Sequence, residues 1–404
     1  MTGYTVSVPA ADGSKLTGTL TVSDTTHTSP YPTVPYEAFA APGDELQVSL
    51  QSKFNAYLSA HPELGGKARI KMQPGLYPFR DFSTSGYGII NDNIAGFEFD
   101  PVKPTIFQQI PHSSTKASQV PTAANTTNPL CLLRFGKNIP VLITGRFILA
   151  GTDQGHLYNG LSCYMWAAGS YVESLLVTGI PGGGNAPPDE TFAIDWYRCT
   201  NNTFDDPETD GYQYTWTQAA DGTLTYTKSS APVGGSPFGG NGSTGLVLNR
   251  PNFHDSYVSM PTWDLCSGVV TNDLLSLHNG NTSAAGKYGS VGINHEHDSG
   301  TFVHNRPRLF MQGPGAQHVF LGADNSRATV RLNAPQWSGG DSRAKGALVV
   351  CVPNSYGNGQ KQTPSDFTAC APDGTQMTAF DAGINWATPV PSNIDTARTY
   401  VLVR

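Results

Sequence analysis

The sequence predicts an all-β chain whose central part is a parallel β-helix, and three observations predict it. Short alternating apolar runs closed by Asn, Gly or Asp recur between about residues 139 and 335. Runs opening at Val141, Tyr164, Leu246, Val269 and Val291 are spaced by 23, 23 and 22 residues within two clusters. Units of that size cannot bury a face alone, so they must stack as a solenoid; strand-only units stack as a β-helix. Charged residues make up only 14% of the 404, against 44 Gly and 30 Pro, a balance that favours strands and turns over helices. A single amphipathic helix precedes the repeats, where a solenoid needs a cover for its open core.

The elements follow in order. Tyr4, Val6 and Val8 alternate, Ala11-Asp12-Gly13 turns, and Leu16, Leu20 and Val22 return as a hairpin. Four prolines between residues 29 and 43 mark an extended linker, so residues 1–43 form an arm and linker. Over 44–60, Leu46, Leu50, Phe54 and Leu58 make one apolar helical stripe beside Tyr57. Asp44 is the expected N-cap, and Pro62 with Gly65-Gly66 ends the helix. Residues 68–72 open the first rung, and further strands are expected at 88–90, 97–99 and 105–107. A loop at 112–129 precedes the main stack.

Two excursions break the stack, at 181–190 and 205–244. In the second, Tyr212, Tyr214 and Trp216 alternate, Ala220-Asp221-Gly222 turns, and Leu224 and Tyr226 return: a hairpin with an aromatic face. The β-helix with its capping helix spans 44–335. Residues 336–404 read as a small C-terminal β domain.

Composition excludes several partners. The net charge is −7, and Lys67, Arg69 and Lys71 are the nearest thing to a basic stripe, so nucleic acid is not the expected partner. Cys131, Cys163, Cys199, Cys266, Cys351 and Cys370 show no metal-ligand spacing and read as small buried hydrophobes, with a Cys351–Cys370 disulfide left open. No secretory leader or membrane span is expected from the opening strand-like residues.

Gly151-Thr152-Asp153-Gln154-Gly155-His156-Leu157-Tyr158-Asn159-Gly160 and Pro187-Pro188-Asp189-Glu190-Thr191-Phe192 resemble segments of the minor tail proteins of actinobacterial phages. Those are right-handed parallel β-helix proteins related to the pectate-lyase superfamily. Val291-Gly292-Ile293-Asn294-His295-Glu296 resembles their late-rung segment, with His295 where a bulky apolar residue is usual. Pro74-Gly75-Leu76-Tyr77 resembles the first rung of pectate-lyase-like chains. The resemblance covers roughly 44–335. It implies a right-handed helix and a virion protein that contacts the host surface, as a homotrimer.

Glycoside hydrolysis needs two carboxylates across the scissile bond. The acids near the excursions are Asp153, Glu173, Asp189, Glu190, Asp195, Asp205, Asp206 and Asp210. Asp153, Glu173, Asp195 and Asp206 are the catalytic candidates, because strands of adjacent rungs lie about 4.8 Å apart. Tyr212, Tyr214, Trp216 and Tyr226 are the expected sugar-stacking surface, with His156 and Glu190 as further contacts. The competing reading makes the acids turn residues and packs the aromatics onto the flank. His295-Glu296-His297-Asp298 lacks the zincin spacing; in a strand His295 and His297 share a face, and an inward Glu296 would need Arg306 or Arg308. A metal shared with His304 or His278 is the lesser reading. Gly182-Gly183-Gly184 lacks the following Lys and helix of a phosphate loop. No cofactor or metal is expected.

The leading expectation is therefore a phage tail protein binding bacterial cell-surface polysaccharide, attached to other virion proteins through residues 1–40. The alternatives are a glycan depolymerase on the same scaffold and a purely structural virion component.

Overall fold

The computed structural model describes residues 2–9, 15–22, 27–41, 43–80, 88–110, 131–151, 159–180, 192–232, 235–256, 261–277, 291–296, 298–311, 317–321, 327–333, 336–339 and 349–351. Residues 1–30 and 31–404 are two separate units. In the first, Thr2–Pro9 pairs antiparallel with Lys15–Val22, the hairpin expected from the alternation.

The second unit is a parallel β-helix of three sheets. Sheet I has ten strands; sheets II and III have nine each. The chain visits I, II and III in turn, and every neighbour within these sheets runs parallel. The first rung is Ala68–Lys71, Gly75–Arg80 and Ile89–Asn91; the ninth is Arg327–Asn333, Gln336–Gly339 and Val349–Cys351. The solenoid thus runs past the boundary expected at 335. It also starts earlier, because Thr33–Pro35, within the expected linker, pairs with Ala68–Lys71.

The lumen takes the inward residues. Phe97, Phe107, Phe135, Phe147, Trp166, Trp196, Phe204, Phe238, Phe253 and Trp263 are fully buried, and neighbouring rings stack or meet edge-on. Cys131, Cys163, Cys199 and Cys266 are free and buried, as small hydrophobes. Cys370 lies outside the described residues.

Helical residues Leu46–Val48, Ser49–Lys53 in π geometry and Phe54–Ala60 follow one another without a break. Leu46, Leu50, Phe54 and Leu58 face the core as their spacing predicts. Glu45 holds the N-cap position, not Asp44; Asp44 instead accepts the Ala41 N–H and pairs with Lys53. The helix does more than cover apolar surface. Gln47 and Gln51 donate to the Gly88 carbonyl, Gln51 also to that of Ile90, and Asn91 donates to the Leu50 carbonyl. These amides satisfy the outermost strand of sheet III, whose open edge would otherwise invite pairing. Thr33–Pro35 covers the same end of sheet I.

Register shows which repeats are rungs. Leu246 and Val269 are partners in sheet I, so that spacing is one turn of the helix. Val141 precedes a sheet I strand while Tyr164 ends a sheet III strand, and Val291 lies in sheet III, so the other two spacings are coincidences. The true repeat is a polar ladder at the sheet I–II corner: Asp205, Asn249, Asn272, Asn305 and Asn333, spaced by 44, 23, 33 and 28 residues. Each Asn amide donates to the side-chain oxygen one rung before it. The residue after each of the first four ladder positions, Asp206, Arg250, Asp273 and Arg306, turns the corner with φ between 51° and 57°.

Turns at that corner stay short, such as Asp206-Pro207 and Arg250-Pro251. The long connections, including 111–130, 179–191, 211–235 and 278–290, all run from sheet II to sheet III. The excursion that follows Asp210 falls at that junction, and loops on a rigid scaffold are where binding residues concentrate.

Candidate functional site

The described part of that junction is dominated by one excursion. Glu208–Asp210 remains in sheet II, so the chain departs at Gly211 rather than at 205. Tyr214–Gln218 and Leu224–Lys228 then form the expected antiparallel hairpin, with Trp216 opposite Tyr226.

The hairpin lies along sheet II toward the first rungs. The Gln108 side chain, on a second-rung strand, pairs with the backbone of Trp216: Oε1 accepts its N–H at 2.6 Å and Nε2 donates to its carbonyl at 3.3 Å. Gln218 Oε1 accepts the Leu76 N–H at 3.0 Å, capping the terminal strand of sheet II. Side-chain amides here stand in for a strand.

Its root is a network of charges. Asp210 is buried and accepts the Tyr212 N–H at 2.9 Å and the Tyr214 hydroxyl. Lys228 Nζ lies 3.8 Å from Asp210 and 3.7 Å over the Tyr212 ring. From the next rung, His254 meets Glu208 through Nε2 and Asp255 through Nδ1, each at 3.0 Å, with Asp210 at 3.8 Å. Burial works against charge on His254, but the bonds to Glu208 and Asp255 and the field of Asp210 outweigh it and raise its pKa to about 9. His254 is thus an imidazolium at neutral pH. Burial and the bond to Asp210 push the Tyr214 phenol up, so it stays a donor.

Asp210, His254 and Asp255 each offer a ligand atom within 4.8 Å of the others, a potential cation group. Both His254 nitrogens already meet carboxylates, and a protonated imidazole cannot ligate a metal. The cluster fits an anchor that pins the hairpin to rungs five and six.

What the anchored hairpin presents is aromatic. Tyr226 is 55% exposed, with its ring centroid 4.8 Å from Trp216 and 5.1 Å from Tyr214. Tyr212 packs beneath Lys228, while Tyr226 and half-buried Trp216 and Tyr214 form an open platform.

Among the described residues, the expected carboxylates Glu173, Asp195 and Asp206 are not brought together. Glu173 is in sheet I and accepts the Gly145 N–H at 3.2 Å; its stacked neighbour is Asp205. Asp206 turns the sheet I–II corner and holds Arg250 through two bonds of 2.6 and 2.8 Å. Asp195 is in sheet III, where Ser162 donates to it at 3.1 Å. Stacking aligns residues of one sheet, and Asp195 shares no sheet with the other two. Burial raises Asp195 to about 7, against the bonds from Ser162 and Asn159. Asp153, His156 and Glu190 lie outside the described residues, as does most of the two segments that carry the family resemblance.

His295 is fully buried in the lumen, 3.2 Å from His304 Nε2 and 2.9 Å from Asp298. His297, His278 and the Glu296 side chain lie outside the described residues. Arg69, from the supposed basic stripe, is buried and donates to the carbonyls of Phe97 and Leu142, and Lys71 pairs with Glu98 at 2.8 Å.

No protein-family model matches the chain, and no curated protein matches it. Solved structures show similarity at low identity. An iota-carrageenase complexed to iota-carrageenan fragments is 11% identical, with a TM-score of 0.27 over 78% of this chain and 58% of that one. The A-module of the mannuronan C-5 epimerase AlgE6 of Azotobacter vinelandii is 11% identical, with a TM-score of 0.21 over 80% of this chain and 100% of the module. The Agl-KA catalytic domain is 10% identical, with a TM-score of 0.24 over 80% and 68%.

Proposed function

We propose that this β-helix is a glycan-binding protein of a phage virion, which uses the hairpin platform to engage bacterial cell-surface polysaccharide. The observation that supports binding is the exposed Tyr226 ring, backed by Trp216 and Tyr214 and held rigid by Asp210 and Gln108. Aromatic faces stack on the apolar faces of sugar rings while their polar tips hydrogen-bond, and rigid placement lowers the entropy cost of binding. The virion setting rests on the sequence resemblance. It brings with it a homotrimer, which would multiply weak contacts by avidity, and attachment through residues 1–40.

The test is saturable binding of the purified chain to actinobacterial cells and their wall glycans. Tyr226→Ala is expected to weaken binding roughly 3- to 10-fold, the worth of one aromatic contact, with an unchanged melting temperature. Binding that is absent in the parent, or equal in the variant, would sink this reading.

A second reading is favoured by Asp195. A buried carboxyl with a pKa of about 7 is protonated for much of the time at neutral pH, as a general acid must be. If the chain depolymerises glycan, Asp195→Asn should lower reducing-end release at least 100-fold. Release that persists in the variant removes Asp195 from the chemistry, and no release by the parent leaves binding alone.

A further inference from the structure

We propose that a second site on sheet II, in rungs six to nine, binds the anionic groups of a linear acidic glycan. It is a cleft of about 680 Å³ between the sheet I–II corner and the sheet II surface. It rests on the glycan-binding reading for its ligand class only, and its residues are separate from the platform.

Register builds the cleft. Asn252, Leu275, Arg308 and Gln336 stand in one column of sheet II, one per rung. Arg250, Asp273 and Arg306 stand beside them at the corner. Arg250 is tied to Asp206 at 2.6 and 2.8 Å and Arg306 to Asp273 at 2.7 and 2.8 Å, through Nε and Nη2 in both cases. Both guanidiniums are thereby fixed, and each keeps Nη1 without a partner among the described residues. Arg308 is exposed and has no ion pair among the described residues. The Asp273 carboxyl is held below its usual range by its Arg306 bond first, and Arg308 and Arg250 add to the effect, so three guanidiniums converge on one acid.

This donor set selects a ligand. Two of the three cations are neutralised, so Arg308 carries the free charge and its planar fork suits a carboxylate or sulfate. Pro251 and Leu275 give an apolar floor for a sugar ring, and the exposed Gln336 offers an amide to hydroxyls. A nucleic acid would want several free cations and rings for its bases; the lining has one and none. Asn252 and Arg308 are two rungs apart in one column, about 10 Å, so an extended chain can lie across the cleft with a charged group on Arg308.

The test is calorimetric titration of the full chain with an oligogalacturonate, a sulfated oligosaccharide and a neutral maltooligosaccharide. At least one acidic chain should bind and the neutral one should bind at least tenfold more weakly; the two acidic arms separate carboxylate from sulfate. Arg308→Gln should cost the acidic ligand about tenfold in affinity, and Arg308→Lys less. About 0.5 M salt should weaken the same binding, as screening of exposed charge requires. Arg308 has no hydrogen bond or ion pair to lose among the described residues, and an unchanged melting temperature confirms the fold. Equal affinity for acidic and neutral chains, no affinity for either acidic chain, preference for polyphosphate over both, or an Arg308→Gln variant that binds like the parent would overturn the proposal. Neutral binding lost in Tyr226→Ala with no acidic preference leaves the platform standing and the cleft refuted. Acidic binding lost in Arg308→Gln but unchanged in Tyr226→Ala leaves the cleft standing alone.

Discussion

Gly96→Ala is expected to destabilise the solenoid by at least about 3 kcal/mol, from steric overlap and backbone strain together. Gly96 lies in sheet I with φ of 131°, and a Cβ there would fall 2.0 Å from the Leu142 carbonyl oxygen of the next rung. The rungs cannot separate to admit it. Arg69 passes from the first rung to the Leu142 carbonyl of the third, and its Nη2 also holds the Phe97 carbonyl and the Thr144 hydroxyl. That bridge clamps three rungs over the glycine, beside the irregular pairing between Ala68 and Ile70. Gly66→Ala is the control: Gly66 has φ of 75° but no atom within 4 Å of its Cβ position. It should cost only the backbone part, about 1 kcal/mol. Chemical denaturation of the two variants measures the difference, and equal losses would show that rung contact at Gly96 is not limiting.

The architecture was legible because burial in a solenoid leaves a strong local trace. The helix stripe Leu46–Leu50–Phe54–Leu58 and the aromatic alternation of the hairpin each depend on neighbours in sequence, and both are found where the pattern puts them. Rung register was less legible. Spacing of apolar runs mixes strands of different sheets, since all three sheets are apolar inside, so Val141 and Tyr164 looked equivalent without being so. A better signal was present in the turn chemistry. Asp205-Asp206-Pro207, Asn249-Arg250-Pro251, Asn305-Arg306-Pro307 and Asn333-Ala334-Pro335 share one form, an amide or acid two residues before proline. In the first three the form marks the corner because the ladder side chain, the left-handed residue and the proline occupy fixed places there.

Site residues were least legible. His254 anchors the hairpin through Glu208 and Asp210, which precede it by 46 and 44 residues, and only register brings them together. Arg308 is one exposed arginine in the sequence and becomes part of a cleft only when Leu275 and Gln336 are aligned with it. The described carboxylate candidates stay apart for the same reason: Glu173 is on a sheet I strand and Asp195 on a sheet III strand.

Folding stability is expected to be nearly level between pH 8 and pH 5, and single substitutions at His304 and Asp195 should tilt it in opposite directions. His295 and His304 are buried in the lumen and neutral; burial lowers His295 to about 3, and burial with the field of His295 lowers His304. Their bonds fit that state, with His295 Nδ1–H donating to Asp298, His304 Nε2–H donating to His295, and the Thr271 hydroxyl donating to His304. An unfolded chain takes up protons on both rings below about pH 6.5 while the native one does not. Their stabilising effect is full above that pH and falls as pH drops, by about 2 kcal/mol at pH 5 for His295 and in the same direction for His304. Two groups act the other way. Native Asp195, raised to about 7, keeps its proton as the unfolded chain loses one, so stability grows as pH falls from 7 towards 3.8, by about 3 kcal/mol at pH 5. His254, raised to about 9, contributes most below 6.5 and loses that contribution as pH rises through 9, which adds about 2 kcal/mol on going from pH 8 to pH 5. These changes offset one another in the parent. His304→Gln keeps a donor and an acceptor but removes one titrating ring, so it should gain stability relative to the parent on acidification. Asp195→Asn can still accept from Ser162 and should lose about 3 kcal/mol relative to the parent over the same interval. Urea unfolding of the three proteins at both pH values decides it, and parallel profiles would mean that neither buried group titrates with the fold.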